Sequence, residues 1–230
     1  MRLRVAGDSI GRDAIGIGVA VGTFGISFGA LSIAAGLTPW QTVASSLLVF
    51  TGASQFAFIG VIAGGGGAVA ALVPAVLLAV RNGLYGLSLA PILHGGRGRR
   101  LLEAHLVIDE STAMARAQGS RALAHRAFLW TGLSVLVLWN AGTVVGVAFG
   151  SAIGDPKALG LDVMFPAAFL ALLAPQLSRS GARASALAGA SLALACVPFL
   201  PAGLPIVVAC LAVVPVLIAA GRVRERRVPA

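Results

Sequence analysis

Uncharged runs dominate the pattern of hydrophobic and polar positions, and the first run is the longest. No Asp, Glu, Lys, Arg or His occurs between Ala14 and Val80. A helix needs only about 20 apolar residues to cross a bilayer, so this run holds at least two membrane spans. Later runs at 128–154, 163–178 and 184–221 are also free of charge. The pattern predicts an integral membrane protein.

Turn-forming residues divide these runs into candidate spans. The glycines at 64–67 separate the second span from the third, and prolines mark several other ends. The predicted spans are 14–36, 40–62, 68–93, 128–150, 160–178, 184–199 and 203–220. We therefore predict an all-α polytopic helical bundle with about six or seven transmembrane segments, forming one membrane domain over residues 1–230.

The hydrophilic stretch at 94–127 differs from the rest of the chain. Its central residues, LLEAHLVIDESTAMARAQ, mix polar and apolar side chains and include good helix formers, so we predict a surface helix there. Cytoplasmic loops of membrane proteins carry an excess of basic residues. The arginines of this stretch therefore indicate a cytoplasmic loop: Arg97, Arg99, Arg100, Arg116, Arg121 and Arg126.

The same charge rule produces a conflict in the first half of the chain. Three arginines before residue 13 also favour an inside N-terminus, which requires an even number of crossings before Arg97. One solution is that 68–93 is a broken or re-entrant element that turns at 81–83. The other is three true spans with an exception to the charge rule. We favour the break, which membranes tolerate where the backbone is shielded.

Composition supports a membrane protein and argues against several other classes. Hydrophobic residues make up 58% of the chain and charged residues 11%, whereas soluble domains carry about a quarter charged residues. The net charge of +9 comes from residues in loops and at the ends, so no nucleic-acid partner is expected. Cys196 and Cys210 lie in apolar segments without metal-ligand neighbours. We expect no metal, no cofactor and no enzyme activity.

A short internal similarity links the first and fourth spans. The segment GTFGISFG at 22–29 resembles GTVVGVAFG at 142–150, with one residue inserted. Many transporters are built from repeated halves, which favours duplication. Small residues also recur by chance wherever helices pack closely, and both explanations stay open.

Arg81 interrupts the first long run and is the main candidate for function. A charge at membrane depth costs at least ~2.5–3.5 kcal/mol unless it finds a partner or water. A guanidinium binds a carboxylate through two parallel hydrogen bonds, which suits an amino-acid substrate. Asn82 and Tyr85, the single tyrosine, are further candidate substrate ligands. The alternatives are snorkelling to the interface or a structural ion pair.

Three acidic residues are candidates for coupling or gating. Asp109 and Glu110 are adjacent in the hydrophilic stretch, where carboxylates suit a gate, a proton relay or a cap for a substrate amine. Asp162 lies near the start of the fifth span and suits proton coupling. Solvation at a surface or an interface explains all three as well. Each is also a candidate structural partner for Arg81.

A polar cluster in the second span provides further candidate ligands. Thr51, Ser54 and Gln55 lie in the sequence TGASQF, and the glutamine offers both donor and acceptor groups. They suit an unwound or closely packed substrate site with exposed backbone groups. The alternative is a contact in which Gln55 only bonds a neighbouring helix. Asn140 in the fourth span has the same two interpretations.

In combination these segments resemble the AzlC family, the large subunit of bacterial branched-chain amino-acid exporters. The resemblance covers nearly the whole chain and depends on the order and spacing of its segments. They are FGISFG at 24–29, VFTGASQF at 49–56, RNGLYGLS at 81–88, DE at 109–110, WNAGT at 139–143 and LDVMFPAAF at 161–169.

The resemblance implies a multi-pass protein of the bacterial inner membrane that exports valine, leucine, isoleucine or methionine. It also implies a small AzlD-type membrane subunit as partner and a drive from the proton motive force. Our mechanistic hypothesis is that Arg81 holds the substrate carboxylate, while Gln55, Ser54 and the broken backbone near Gly52 bind its polar atoms. Apolar neighbours such as Phe28 and Phe56 would accept the aliphatic side chain. The competing hypothesis is a non-transporting membrane scaffold or assembly subunit, whose polar residues serve packing alone.

Overall fold

The computed structural model describes residues 9–93, 95–152, 173–178, 180–200 and 204–210, together with residues 167 and 170. The described elements are all helical, which confirms the predicted all-α class. They are α1 (Ser9–Ala34), α2 (Pro39–Val49), α3 (Ala53–Ala63), α4 (Ala68–Leu89), α5 (Arg97–His105), α6 (Asp109–Arg116), α7 (Arg121–Ala152), a 3-10 helix (Ala174–Ser178), α8 (Ser180–Cys196) and α9 (Leu204–Cys210).

Three of these helices, α1, α4 and α7, are long and apolar enough to cross a membrane. They correspond to the predicted spans at 14–36, 68–93 and 128–150. Helix α8 covers most of the predicted span at 184–199. The predicted spans at 160–178 and 203–220 lie largely outside the described residues. The total of six or seven segments therefore stays a prediction.

The predicted break at 81–83 is wrong, because α4 is one continuous helix from Ala68 to Leu89. An isolated glycine such as Gly83 costs a helix only about 1 kcal/mol relative to alanine. Interrupting the helix at membrane depth would leave several backbone groups unbonded, which costs more. Local helix stability therefore outweighs the topological argument from charge.

The interruption lies instead in the predicted span at 40–62. Helix α2 ends at Val49 and α3 begins at Ala53. Between them Phe50 has φ 41° and ψ 48°, and Gly52 has φ 63°. Left-handed backbone ends a helix readily, and glycine adopts it at little steric cost.

Helix α2 begins, and helix α3 ends, at residues that commonly form helix ends. Thr38 caps α2: its hydroxyl accepts a hydrogen bond from the Gln41 backbone N–H at 3.2 Å, and Gln41 Oε1 accepts one from the Thr38 N–H at 2.9 Å. Pro39 occupies the first turn, where no N–H is needed. Gly65, with φ 83°, begins the turn into α4. The glycine-rich turn predicted at 64–67 is confirmed.

Helices α1 and α7 pack directly against each other along the two similar glycine segments. A Cβ added at Gly25 would collide with the Trp139 carbonyl oxygen, and one at Gly146 with the Ile26 carbonyl oxygen. Glycine at such positions lets two backbones approach closely, as it does in other membrane helix pairs. The segments that resemble each other in sequence therefore face each other in space.

An aromatic cluster fills the core beside this contact. The Phe28 and Trp139 rings are stacked with centroids 5.8 Å apart, and Phe56 meets both rings edge-on. Phe28 and Phe56 are each 1% exposed. The expectation that they receive a substrate side chain does not fit this arrangement, because both rings are packed within the core.

The hydrophilic stretch forms two short helices rather than one surface helix, so that prediction is wrong. We call α5, α6 and their linker at 106–108 the hairpin. The linker residues Leu106, Val107 and Ile108 are all buried. Ser111 makes this possible: its hydroxyl accepts the Ile108 N–H at 3.1 Å and donates to the Leu106 carbonyl at 2.6 Å. Apolar linker residues inside a polar stretch therefore turn inward.

Candidate functional site

The break between α2 and α3 is held together by the Gln55 side chain. Its Oε1 accepts hydrogen bonds from the backbone N–H groups of Thr51 at 3.2 Å and Gly52 at 3.1 Å. Its Nε2 donates to the Ser45 carbonyl at 3.2 Å. The Thr51 and Ser54 hydroxyls bond each other. Gln55 thus supplies the hydrogen bonds that the interrupted helix lacks, and it is itself buried.

Two adjacent faces of helix α4 contribute residues to the candidate site. Arg81 and Tyr85 lie one turn apart and face α6. Arg81 Nη2 lies 2.7 Å from Asp109 Oδ2, with side-chain exposures of 35% and 40%. Tyr85 lies close enough to the same carboxylate to interact with it electrostatically. The structure therefore brings together three of the predicted site residues, Arg81, Tyr85 and Asp109.

The neighbouring face lines a cleft of about 290 Å³. Asn82 lies on this face, and its Nδ2 donates a hydrogen bond to the Val107 carbonyl at 3.1 Å. The other walls come from the helix break and from the hairpin. The lining residues are Val49, Phe50, Thr51, Asn82, Gly83, Gly86, Ala104, His105 and Val107.

Two buried polar atoms at this point lack partners among the described residues. Arg81 Nε is a donor without an acceptor, and Asn82 Oδ1 is an acceptor without a donor. A buried polar atom left unbonded costs about 1–3 kcal/mol. Two adjacent residues therefore carry one unpaired donor and one unpaired acceptor, and of the two residues Asn82 lines the cleft.

His105 belongs to the cleft although the sequence did not single it out. It is the last residue of α5, and its ring centroid lies 5.6 Å from that of Phe50, with the planes tilted by 34°. Phe50 is the residue with left-handed backbone at the end of α2. Only the fold brings α5 to the helix break, so no local pattern predicts this contact.

Glu110 is partly buried beside Asp109 in the first turn of α6. Burial raises the pKa of Glu110, and the charge of Asp109 raises it further, while its own backbone hydrogen bond and Arg81 oppose the shift. A carboxyl group whose pKa is raised in this way takes up a proton more readily than an exposed one. It is therefore suited to carry a proton.

A second polar cluster joins α5 to α7. Glu103 Oε1 lies 2.9 Å from His125 Nε2 and 2.9 Å from Arg99 Nε. Burial acts to raise the pKa of Glu103, but the hydrogen bonds from His125 and Arg99 outweigh it and hold the pKa below its usual value. This cluster anchors the first helix of the hairpin to α7, and the sequence analysis missed it.

Asn140 and Asp162 are the two remaining predicted site residues. Asn140 Nδ2 bonds the Leu136 carbonyl of its own helix at 2.8 Å, and Asn140 does not line the cleft. Asp162 falls outside the described residues, so its role stays a prediction. Within the part of the chain that the structure describes, no group of His, Cys, Asp and Glu side chains is arranged to hold a metal ion.

The long apolar helices and the cleft beside a broken helix define a helical membrane protein. The sequence profile of the AzlC protein family matches residues 16–153, and the chain belongs to this family. Membrane transport is the function that this family and the relative below indicate. The chain is 29% identical over 195 residues to the inner membrane protein YgaZ of Escherichia coli, covering 79% of this chain and 80% of that protein. No solved structure matches the chain.

Proposed function

We propose that the chain is a secondary transporter that exports branched-chain and other hydrophobic L-amino acids across the bacterial inner membrane, together with a small AzlD-type subunit. Its membership of the AzlC family supports the transport class. The choice of substrate rests on the chemistry of the cleft.

The observation that carries the proposal is the free donor and acceptor on adjacent residues of α4. Arg81 Nε needs an acceptor and Asn82 Oδ1 needs a donor. An α-amino acid provides both, because its carboxylate accepts hydrogen bonds and its ammonium group donates them. A ligand with only one of these groups leaves one buried atom unbonded, at a cost of about 1–3 kcal/mol.

The apolar walls of the cleft support an aliphatic side chain. Val49 and Phe50 come from the helix break, and Val107 comes from the hairpin linker. The cleft volume of about 290 Å³ is near the lower limit of the ~300–1,000 Å³ typical of small-molecule sites. These residues replace Phe28 and Phe56 as the surface proposed for the substrate side chain.

The break between α2 and α3 is consistent with a transport site. Secondary transporters place substrate sites beside discontinuous helices, where irregular backbone lines a cavity. Here the break supplies Thr51 to the cleft, while Gln55 satisfies the backbone behind it. In this proposal Gln55 and Ser54 shape the site, and Thr51, Asn82 and Arg81 face the substrate.

A proton gradient is the energy source that we propose. Glu110 has a raised pKa and lies beside the Arg81–Asp109 pair, so protonation and substrate binding can influence each other.

The outward face of α4 is apolar and exposed, which suits contact with lipid or with the partner subunit. Its exposed residues include Val69, Leu72, Val76, Val80, Leu84 and Leu87.

Efflux of labelled valine from preloaded cells tests the proposal. Cells that carry this chain and its small partner should export valine faster than cells with either subunit alone. A protonophore should abolish the difference. No efflux of any aliphatic amino acid from a correctly inserted complex would overturn the substrate assignment and favour the scaffold hypothesis.

A further inference from the structure

We infer that Asp109 acts as a built-in competitor for the substrate carboxylate, and that the hairpin is a gate which opens when the substrate takes Arg81 from Asp109. This inference rests on the proposed function for the identity of the substrate. The gate itself rests on contacts between α4 and the hairpin.

One face of α4 holds the hairpin in place through neighbouring polar contacts. Arg81 pairs with Asp109 at the start of α6. One residue further along, Asn82 bonds the Val107 carbonyl in the buried linker. We call these two contacts, the Arg81–Asp109 ion pair and the Asn82–Val107 hydrogen bond, the latch.

The latch uses the same residues that the substrate would use. Asp109 presents a carboxylate to Arg81, which is also the chemical group that an amino acid would present. Asn82 bonds the linker through its amide nitrogen, while its amide oxygen is free. A substrate carboxylate that takes Arg81 therefore breaks the ion pair with Asp109, while the substrate ammonium group binds the free oxygen of Asn82.

Exposure of the ion pair allows this exchange. The Arg81 and Asp109 side chains are 35% and 40% exposed, so this chain does not enclose the pair. Exposed ion pairs are screened and contribute little to stability, whereas breaking a fully buried pair is very costly. A carboxylate ligand at the cleft can thus replace Asp109 without leaving a buried charge unpaired.

The hairpin is built to move as one unit. Ser111 satisfies the linker backbone from within the hairpin, through its bonds to Ile108 and Leu106. In the last turn of α5, Glu103 ties the hairpin to His125 of α7. Releasing the latch therefore frees the side of the hairpin that faces α4 and leaves the attachment to α7 intact.

Cysteine labelling tests the latch without relying on transport. In the full chain with Cys196→Ser and Cys210→Ser, purified with its partner in nanodiscs, Val107→Cys reports on the buried linker. Leu101→Cys on the exposed outer side of α5 is the control reporter. The measured quantity is the rate of reaction with a polar maleimide, with and without valine.

We expect Asp109→Asn to raise the labelling rate at position 107 about threefold or more, as loss of a partly exposed ion pair would. Valine should raise the rate in the parent protein but add little in Asp109→Asn. Asp109→Glu should restore the parent rate, because it keeps the carboxylate. Asp13→Asn, which removes an exposed acid from α1, should not change the labelling rate at position 107. None of these substitutions should change the labelling rate of the control reporter Leu101→Cys.

The outcomes separate this inference from the proposed function. An unchanged rate at position 107 in Asp109→Asn would overturn the latch, even if valine is exported. Valine efflux without an effect of valine on labelling would overturn the displacement of Asp109. Faster labelling in Asp109→Asn, in a protein that exports no amino acid, would support the latch and reject the proposed substrate.

Discussion

Arg81 shows how two carboxylates can compete for one partly exposed guanidinium. Its Nη2 pairs with Asp109 and its Nε has no acceptor among the described residues, so an arriving carboxylate can first bind Nε and then compete with Asp109 for Nη2. The sequence predicted Arg81 as the principal charge and named Asp109 among three possible partners. It could not choose between them, because the choice depends on how the hairpin folds back onto α4.

Glu110 provides a pH-dependent prediction. Burial raises its pKa, so the folded chain holds this proton more tightly than the unfolded chain. Stability should therefore fall as the pH rises from the ordinary value of 4.5 through the raised pKa of the folded state. Glu110→Gln removes the titration, so its unfolding midpoint should fall less over this window. Thermal unfolding followed by tryptophan fluorescence measures both proteins.

The control for this experiment is Asp13→Asn, which removes an exposed acid far along the chain from α6. It should keep the pH profile of the parent protein. If the parent and Glu110→Gln midpoints stay parallel across the whole range, the burial argument for Glu110 is contradicted, and so is its proposed part in proton coupling.

Among the helices, the α2–α3 break explains why polar residues occur in an apolar span. Thr51, Gly52 and Gln55 mark the interruption, and their types in the sequence suit an unwound or closely packed segment. The break was nevertheless predicted at 81–83, because counting charges across crossings favoured that position. Local backbone chemistry, in the form of Gly52 and the Gln55 amide, was the better guide.

Gln55→Leu should destabilise the break. The substitution removes the acceptor for the Thr51 and Gly52 N–H groups and the donor to the Ser45 carbonyl. Leaving such groups unbonded costs about 1–3 kcal/mol each where they are buried. Chemical unfolding in detergent should therefore show a marked loss of stability.

Gln41→Leu is the matched control for this substitution. Gln41 is exposed and bonds only the Thr38 N–H, so its loss removes one half of a helix cap. Such changes cost about 0.5–2 kcal/mol, at the lower end when water can substitute. Equal losses for the two variants would contradict the special role of Gln55.

The glycine contact between α1 and α7 gives a second prediction about the helices. A Cβ at Gly146 would collide with the Ile26 carbonyl, so Gly146→Ala should force the two backbones apart at a cost of about 1–3 kcal/mol. A Cβ at Gly16 on α1 meets nothing within 4 Å, so Gly16→Ala should be neutral or stabilising by up to about 1 kcal/mol. Unfolding midpoints in detergent compare them, and equal midpoints would contradict the packing.

For the molecule as a whole, hydrophobic patterning predicted the helical class and the long apolar helices, because apolar length is a local property. The inward turn of the hairpin was not predictable in this way. Leu106, Val107 and Ile108 are only three apolar residues between charged neighbours, and their burial depends on α4 and α7 being in place. The contacts of His105 and Glu103 were missed for the same reason.

The glycine segments of α1 and α7 resemble each other in sequence and also pack against each other in the structure. Their mutual packing explains why both carry small residues at helical spacing. Close packing is sufficient to account for the similarity. Duplication stays a hypothesis.

The central claim is that Arg81 and Asn82 together recognise the carboxylate and the ammonium group of an aliphatic amino acid. Transport by the purified complex in proteoliposomes tests it with three labelled compounds: valine, isovalerate, which lacks the ammonium group, and isobutylamine, which lacks the carboxylate. We predict that only valine is transported, and that Arg81→Ala and Asn82→Ala each abolish this transport while inserting normally. Transport of isovalerate or isobutylamine at the rate of valine, or unchanged valine transport by both variants, would contradict the account.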